Sequence, residues 1–431
     1  MIRVQELMIF RNFQDSGILD DMTWILDHYQ EAEAGERDLL RSSYYDCING
    51  LVEMAGAYGF EGNLWHNYLT YLLVNHENVF STSCEIVGAV EGTINELARH
   101  DFEIFRELFA VDFEDLNEKL GVKEISYLLD YKNISGKNGL FNKRIRDRIC
   151  SLTRLLELAE DTDAFMKNMV EFYREFGVGK LGLHKAFRIK HDENGVQIVP
   201  VTNIAHVRLD DLVGYEIAKK KLLDNTEAFV NGKRANNCLL FGDAGTGKSS
   251  SIKGILNQFY DRGLRIIEVY KHQFQDLNDV IAQIKNRNYK FIIYMDDLSF
   301  EDFEIEYKYL KAVIEGGLEK KPDNILIYAT SNRRHLVREK YSDKEERRDD
   351  LHSSDTVQEK LSLVNRFGVQ IFFCAPDKKE FQNIVKVLAE KHGIHMPEEE
   401  LLLEANKWEL SHGGLSGRTA QQFIDYLLGK M

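Results

Sequence analysis

The chain has 431 residues, 44% of them hydrophobic and 29% charged. That is the balance of a globular protein too long for one ordinary core, so two or three domains are expected. A net charge of −15 and a pI near 5.4 work against broad contact with nucleic acid or an anionic membrane surface, although a local basic patch can survive such a background. Cys47, Cys84, Cys150, Cys238 and Cys374 form no C-x-x-C pair and no zinc-like spacing with histidine, so they are expected to be buried thiols in a reducing compartment. The opening Met1–Glu6 has no signal-peptide pattern and no apolar run is long enough to span a bilayer, so a cytoplasmic location and no membrane partner are expected.

From residue 1 to about 200 the pattern is helical. Apolar spacing is clear over Ile18–Tyr29, Tyr44–Tyr58, Leu64–Leu73 and Leu152–Phe176, and no proline precedes Pro200. Trp65, Tyr68, Tyr71 and Leu72 share one helical face and read as a core stripe rather than an aromatic ligand site. Lys137, Lys143, Arg144, Arg146, Arg148 and Arg154 make residues 132–154 locally basic. A solvated helix face is the preferred reading, with nucleic acid or an acidic partner as the alternative. Phe187–Lys190 and Val196–Pro200 read as short strands around the turn Glu193-Asn194-Gly195, bridging this mostly α-helical N-terminal domain to the C-terminal half of the chain.

After residue 204 strands and helices alternate, which predicts a parallel sheet flanked by helices. A helix is expected from about Leu209 to Val230, then a buried strand at Cys238–Phe241. The next loop, Gly242-Asp243-Ala244-Gly245-Thr246-Gly247-Lys248-Ser249, has the form G-x-x-x-x-G-K-S, an amphipathic segment, Ser249–Tyr260, follows it, and the candidate nucleotide-binding residues run from Gly242 to Ser250. Glycines let successive backbone N–H groups turn inward around phosphates, and the positive end of a helix adds to the attraction. In this pattern Lys248 reaches the β- and γ-phosphates and the Ser249 hydroxyl is a Mg²⁺ ligand.

Leu264–Val269 is a second strand and Leu277–Ile284 a helix. Tyr270 and Phe274, just past that strand, suit either a substrate-threading loop or ordinary packing. Tyr289–Met295 is a third buried strand that ends in Asp296-Asp297. Asp296 is expected to hold Mg²⁺ beside Ser249, and Asp297 to act as the base or water-orienting carboxylate. A fourth strand, Asn324–Ala329, is tipped by Thr330, Ser331 and Asn332, and Asn332 can hydrogen-bond the attacking water. Arg333–Asp355 is charge-dense and is expected at the surface. Val369–Cys374 is the fifth strand, and three helical segments after Pro376 read as a small lid.

These motifs, in this order, resemble the AAA+ ATPases. Gly242–Ser249, Asp296-Asp297, Asn332, Asn365-Arg366-Phe367-Gly368 and Gly414-Leu415-Ser416-Gly417-Arg418 carry the resemblance over roughly residues 204–431. Asn236–Ser250, Asp296–Phe300 and Ala329–Leu336 are more closely similar to the bacterial ATP-binding family filed as domain of unknown function 815. The resemblance implies that Lys248 and Ser249 are the Walker A pair, Asp296 the Walker B magnesium carboxylate and Asn332 the first sensor. It also implies that Arg366 is an arginine finger acting on a neighbouring subunit's nucleotide, with Arg347 and Arg348 as rivals, and that Arg418 is the second sensor. A rigid, permanently charged fork suits both arginine roles. Position 297 is Asp where Glu is usual, and the shorter acid fits slow turnover.

The expected organisation is therefore a helical domain over 1–200, an AAA+ P-loop NTPase α/β domain over 201–375 and a helical lid over 376–431. The expected activity is Mg²⁺-dependent conversion of ATP to ADP and phosphate. It would occur in a homo-oligomer formed or tightened by ATP that remodels or loads an unidentified protein partner. A slow ATP-dependent switch or adaptor and a DNA-associated, helicase-loader-like protein are the alternatives, with nucleic acid not favoured.

Overall fold

The computed structural model describes residues 3–89, 91–133, 141–193, 195–202, 204–300, 306–315, 322–333, 336 and 363–430. The chain divides into two compact units, Met1–His184 and Lys185–Met431.

The described elements of the first unit are helices, with one isolated antiparallel bridge between Gly62 and Tyr131. Helices Gly17–His28, Ala34–Tyr58 and Leu64–Asn75 follow the apolar spacing. The expected continuous segment Leu152–Phe176 is instead two helices, Lys143–Glu157 and Thr162–Phe176. The break is chemical: the Asp161 carboxylate accepts from Ala164 N at 2.7 Å and caps the second helix. Trp65, Tyr68, Tyr71 and Leu72 are all buried, and Trp65 donates its indole N–H to Leu108 O at 2.9 Å. In the basic helix, Arg146 pairs with Asp147 at 2.7 Å and Arg148 lies 4.3 Å from the centre of the Phe176 ring. Lys137, Arg347 and Arg348 lie outside the described residues, as does nearly all of Arg333–Asp355.

The fully buried Asp101 carboxylate organises the N-terminal segment of this unit. It accepts from Met8 N at 3.0 Å, Ile9 N at 2.7 Å and Phe10 N at 2.8 Å, and so seats the Phe10 ring 5.1 Å from that of Phe102.

The second unit is built on a seven-stranded sheet of order β2-β1-β4-β5-β6-β3-β7. The strands are β1 Ala186–Asp192, β2 Gly195–Pro200, β3 Cys238–Gly242, β4 Leu264–Glu268, β5 Lys290–Met295, β6 Ile325–Ser331 and β7 Val369–Phe373. Every pairing is parallel except β1 with β2. The hairpin β1–β2 is not the bridge expected from sequence. Ala186, Phe187 and Arg188 pair with Ile266, Ile267 and Glu268 and widen the sheet, so the division between units falls before residue 186 rather than at 200. β6 is buried at all seven positions, as a central parallel strand covered on both faces must be, which is why it reads as an unbroken apolar run.

The helix expected from Leu209 is interrupted. A short turn at Leu209–Asp211 precedes the helix Glu216–Val230, because Gly214 and Tyr215 take φ of +82° and +61° between them. Phe274 is buried with its ring 6.1 Å from Phe300, so it belongs to the core, whereas Tyr270 is exposed. Cys374 is also exposed, contrary to the expectation of buried thiols, because it continues the alternation along β7 on the outward side. The lid helices Lys378–Lys391, Glu398–Ser411 and Gly417–Leu428 close on their own core around Phe381, Val385, Ala405, Phe423 and Ile424.

Replacing Asp101 by Ala leaves three backbone donors unpartnered and is expected to destabilise the first unit by about 3 kcal/mol. The check is amide exchange in the full chain, where Met8, Ile9 and Phe10 should lose their protection.

Candidate functional site

The C-terminal ends of β3, β5 and β6 meet at one edge of the sheet, where ligands bind in open parallel α/β folds. There, a cleft of about 660 Å³ is lined by residues 244–250, Asp296, Asp297, Thr330, Asn332 and, from the lid, Gly417, Arg418, Gln421 and Gln422. Leu212, Val213, Ile384 and Leu388 give its far end an apolar wall.

The loop between β3 and the helix Lys248–Phe259 curls as its glycines permit. Gly242 has φ of +134°, and a Cβ there would lie 2.0 Å from Phe373 O on β7. Gly245 has φ of +74°, and a Cβ there would come within 3.0 Å of Ser416 Oγ and 3.1 Å of Arg418 Cβ. Only glycine lets the loop pass under the lid this closely. The lid touches the loop through Arg418 N, which donates to Gly245 O at 3.2 Å.

Lys248 is buried. Its ammonium donates to Gly242 O at 2.9 Å, Asp243 O at 2.6 Å and Asn332 Oδ1 at 3.0 Å. Burial depresses its pKa, against the opposing pull of Asp243, Asp297 and Asp296. The other amide end of Asn332 donates to Asp297 Oδ1 at 2.8 Å. Lys248, Asn332 and Asp297 thus form one polar chain. Asp297 has φ of +49°, a left-handed conformation that Asp tolerates better than most residues.

Asp296 is surrounded by hydroxyls. Oδ1 accepts from Ser249 Oγ at 2.8 Å, from the Tyr294 phenol at 2.6 Å and from Thr330 Oγ1. Burial alone pushes the Asp296 carboxyl upward, but the bonds from Thr330, Tyr294 and Ser249 outweigh it and hold the group below the ordinary carboxylate range. Burial, and then the adjacent Asp296 charge, push the Tyr294 phenol far above its usual value, so it remains a donor. The juxtaposed Ser249 hydroxyl and Asp296 carboxylate are hard oxygen donors of the kind Mg²⁺ takes, and Mg²⁺ commonly needs only one or two protein ligands beside phosphate and water. Among the described residues, no group of three or more His, Cys, Asp or Glu forms a separate metal cage.

Gly242 and Asp243 sit at the root of the loop rather than on the cleft wall. Asp243 Oδ2 accepts from Ala375 N at 2.7 Å, tying the loop to the segment between β7 and the lid. Arg366 is not brought to the cleft of its own chain. It is exposed and pairs with Glu315 at 2.8 Å. Sequence reasoning passed over Tyr294. The signal was present in the period of a strand, since position 294 shares a sheet face with position 296.

A mostly parallel sheet of this order, with a P-loop at the end of β3, paired acids at the end of β5 and a three-helix lid, defines an AAA+ P-loop NTPase fold. More particularly, the family model described as "Protein of unknown function (DUF815)" matches residues 182–431, and the chain belongs to that family. No curated protein matches the chain. Solved structures similar to part of it include the Thermotoga maritima RuvB Holliday junction branch migration motor, at 15% identity and a TM-score of 0.33, covering 51% of this chain and 72% of that one. A threonine-to-valine point mutant of the same Thermotoga maritima RuvB is similar at 16% identity, with the same TM-score and coverage. No helix among the described residues is long and apolar enough to cross a membrane.

Gly242→Ala should cost roughly 3 kcal/mol or more through its clash with β7. Gly263→Ala, also at positive φ (+89°) but with open space around the added Cβ, should cost only about 1 kcal/mol. Thermal melting of the two variants side by side checks the difference.

Proposed function

We propose that this chain binds MgATP in the cleft and hydrolyses it slowly to ADP and phosphate, working as an ATP-assembled homo-oligomer that remodels or loads a protein partner. The observation that carries this reading is the convergence of Ser249 with Asp296, and of Lys248 with Asn332 and Asp297, beneath a lid that presents Arg418. In this reading the N–H groups of the loop residues 244–249, which line the cleft, and the N-terminus of the helix Lys248–Phe259 hold the phosphates. Lys248 gives up its contacts to backbone carbonyls for the β- and γ-phosphate oxygens. Ser249 and Asp296 would hold Mg²⁺, which would supply charge neutralisation to the transferring phosphoryl group.

Asn332 and Asp297 orient the attacking water, and Asp297 takes its proton as the oxygen bonds to the γ-phosphorus. The bond to the β–γ bridging oxygen breaks and ADP departs. Arg418 from the lid, and Arg366 from a neighbouring copy, face the charge that develops on the γ-phosphoryl oxygens. Assembly through Arg366 requires that it exchange Glu315 for nucleotide. That exchange is inexpensive, because both side chains of the pair are solvent-accessible.

One observation favours a second reading, an ATP-dependent switch or adaptor with negligible turnover. The acid at position 297 is the shorter Asp, and its carboxylate is already engaged by Asn332 at 2.8 Å. Magnesium-dependent phosphate release by the wild type separates the two readings. Under the ATPase reading it is present and is lost, by at least about a hundredfold, in Lys248→Ala.

Light scattering on the 50.0 kDa chain with no nucleotide, ADP, or ATP plus Mg²⁺ tests the assembly. The wild type should grow in mass with ATP, and Arg366→Ala should remain small or inactive. A wild type that stays monomeric and releases no phosphate in any state overturns the proposal of an assembling ATPase.

A further inference from the structure

Two hydroxyl groups beside Asp296 belong to no phosphate-binding motif. The Tyr294 phenol reaches Asp296 Oδ1 at 2.6 Å from two residues earlier on β5. The Thr330 hydroxyl reaches the same oxygen from β6 and accepts from Asp297 N at 2.9 Å. Both residues are buried, at 5% and 1% exposure. The main chain of Thr330 makes a third tie, since Leu298 N donates to Thr330 O at 2.7 Å. Regular pairing of β5 with β6 ends at Met295 and Ala329. Beyond that point Thr330 is what keeps the two acids in register with the neighbouring strand.

A carboxylate at a strand end has free rotamers, and one aimed at the wrong place is of no use to a cation held against phosphate. Here the phenol and the threonine hydroxyl approach the same oxygen from different strands and leave Asp296 one orientation, against Ser249 of the P-loop helix. Asp297, whose backbone is in the left-handed region, is pinned by the amide bond to the same threonine hydroxyl. A single oxygen, Thr330 Oγ1, therefore serves both acids.

Resting on the MgATP reading above, we propose that Tyr294 and Thr330 are positioning residues. Their hydroxyls fix the Asp296 carboxylate beside Ser249 so that it meets the cation of MgATP, and Thr330 also fixes Asp297. The phenol must donate and cannot be replaced by a ring of the same shape. Threonine is needed at 330 for its hydroxyl, and its methyl group is dispensable.

The test measures affinity of the full chain for a fluorescent, non-hydrolysable ATP analogue in excess Mg²⁺ and in excess EDTA. The ratio of the two dissociation constants isolates the cation's contribution. Tyr294→Phe and Thr330→Val should each shrink that ratio roughly tenfold or more, in line with the loss of a ligand-orienting hydrogen bond, through weaker binding in Mg²⁺. Thr330→Ser should restore the wild-type ratio.

Tyr328→Phe is the control. It removes a buried hydroxyl paired with Asn225 and Thr226, at 2.8 and 3.0 Å, on the residue that pairs with Tyr294 across the sheet. It should leave the ratio unchanged. Unchanged ratios in both Tyr294→Phe and Thr330→Val, in a wild type that binds the analogue more tightly with Mg²⁺, would overturn the positioning inference alone. A Thr330→Ser protein that behaves like Thr330→Val would remove the hydroxyl argument at that position. A wild type indifferent to Mg²⁺ would overturn the MgATP reading and this inference with it.

Discussion

Everything at the candidate site depends on parallel pairing around β3. β3 lies between β6 and β7 and runs in the same direction as both, so the loops that leave the three strands emerge at one edge. β5, paired in parallel with β6, adds its acids to that edge. Had β5 or β6 run against β3, Lys248, Asp297 and Asn332 could not share a polar network. The P-loop glycines are a secondary requirement of this arrangement. The end of β3 passes so close to β7 that Gly242 has no room for a side chain beside Phe373 O.

The resting electrostatics of the cleft are nearly self-satisfied. The Lys248 ammonium has backbone carbonyls and an amide oxygen, Asp296 has hydroxyl donors and Asp297 has the Asn332 amide. A buried ammonium or carboxylate without such partners would be costly. Each of these partners is neutral, and each can be exchanged for a phosphate, a cation or a water without leaving an opposite charge stranded. Neutral partners leave the full charges of Lys248, Asp296 and Asp297 available to whatever enters the cleft.

Much of this was legible in the sequence, for identifiable reasons. Buried parallel strands advertise themselves as unbroken apolar runs, so β3, β5 and β6 were read almost to the residue. The P-loop and the Asp296-Asp297 pair carry their chemistry in local order, and the structure brings Ser249 to Asp296 across 47 positions of sequence. What escaped were features decided by tertiary context. The hairpin β1–β2 has the local signature of any hairpin, and only its pairing with β4 shows that it belongs to the sheet. The helix from Leu209 was read straight through a point where Gly214 and Tyr215 leave the helical region. Tyr294 looked like one more apolar residue of a buried strand, because a phenol announces its hydrogen bond only when its partner's position in space is known.

Between β7 and the lid the chain is clamped twice. Ala375 N donates to Asp243 Oδ2, and Cys374 O accepts from the Tyr215 phenol at 3.0 Å. Together these bonds anchor the start of the lid at the root of the phosphate loop. At its other end, where the helix that begins at Gly417 starts, Arg418 N donates to Gly245 O at 3.2 Å, so the lid is moored to the loop at two separate points. Because one arm of the clamp is a side chain of the loop itself, loop and lid each help to fix the other's place.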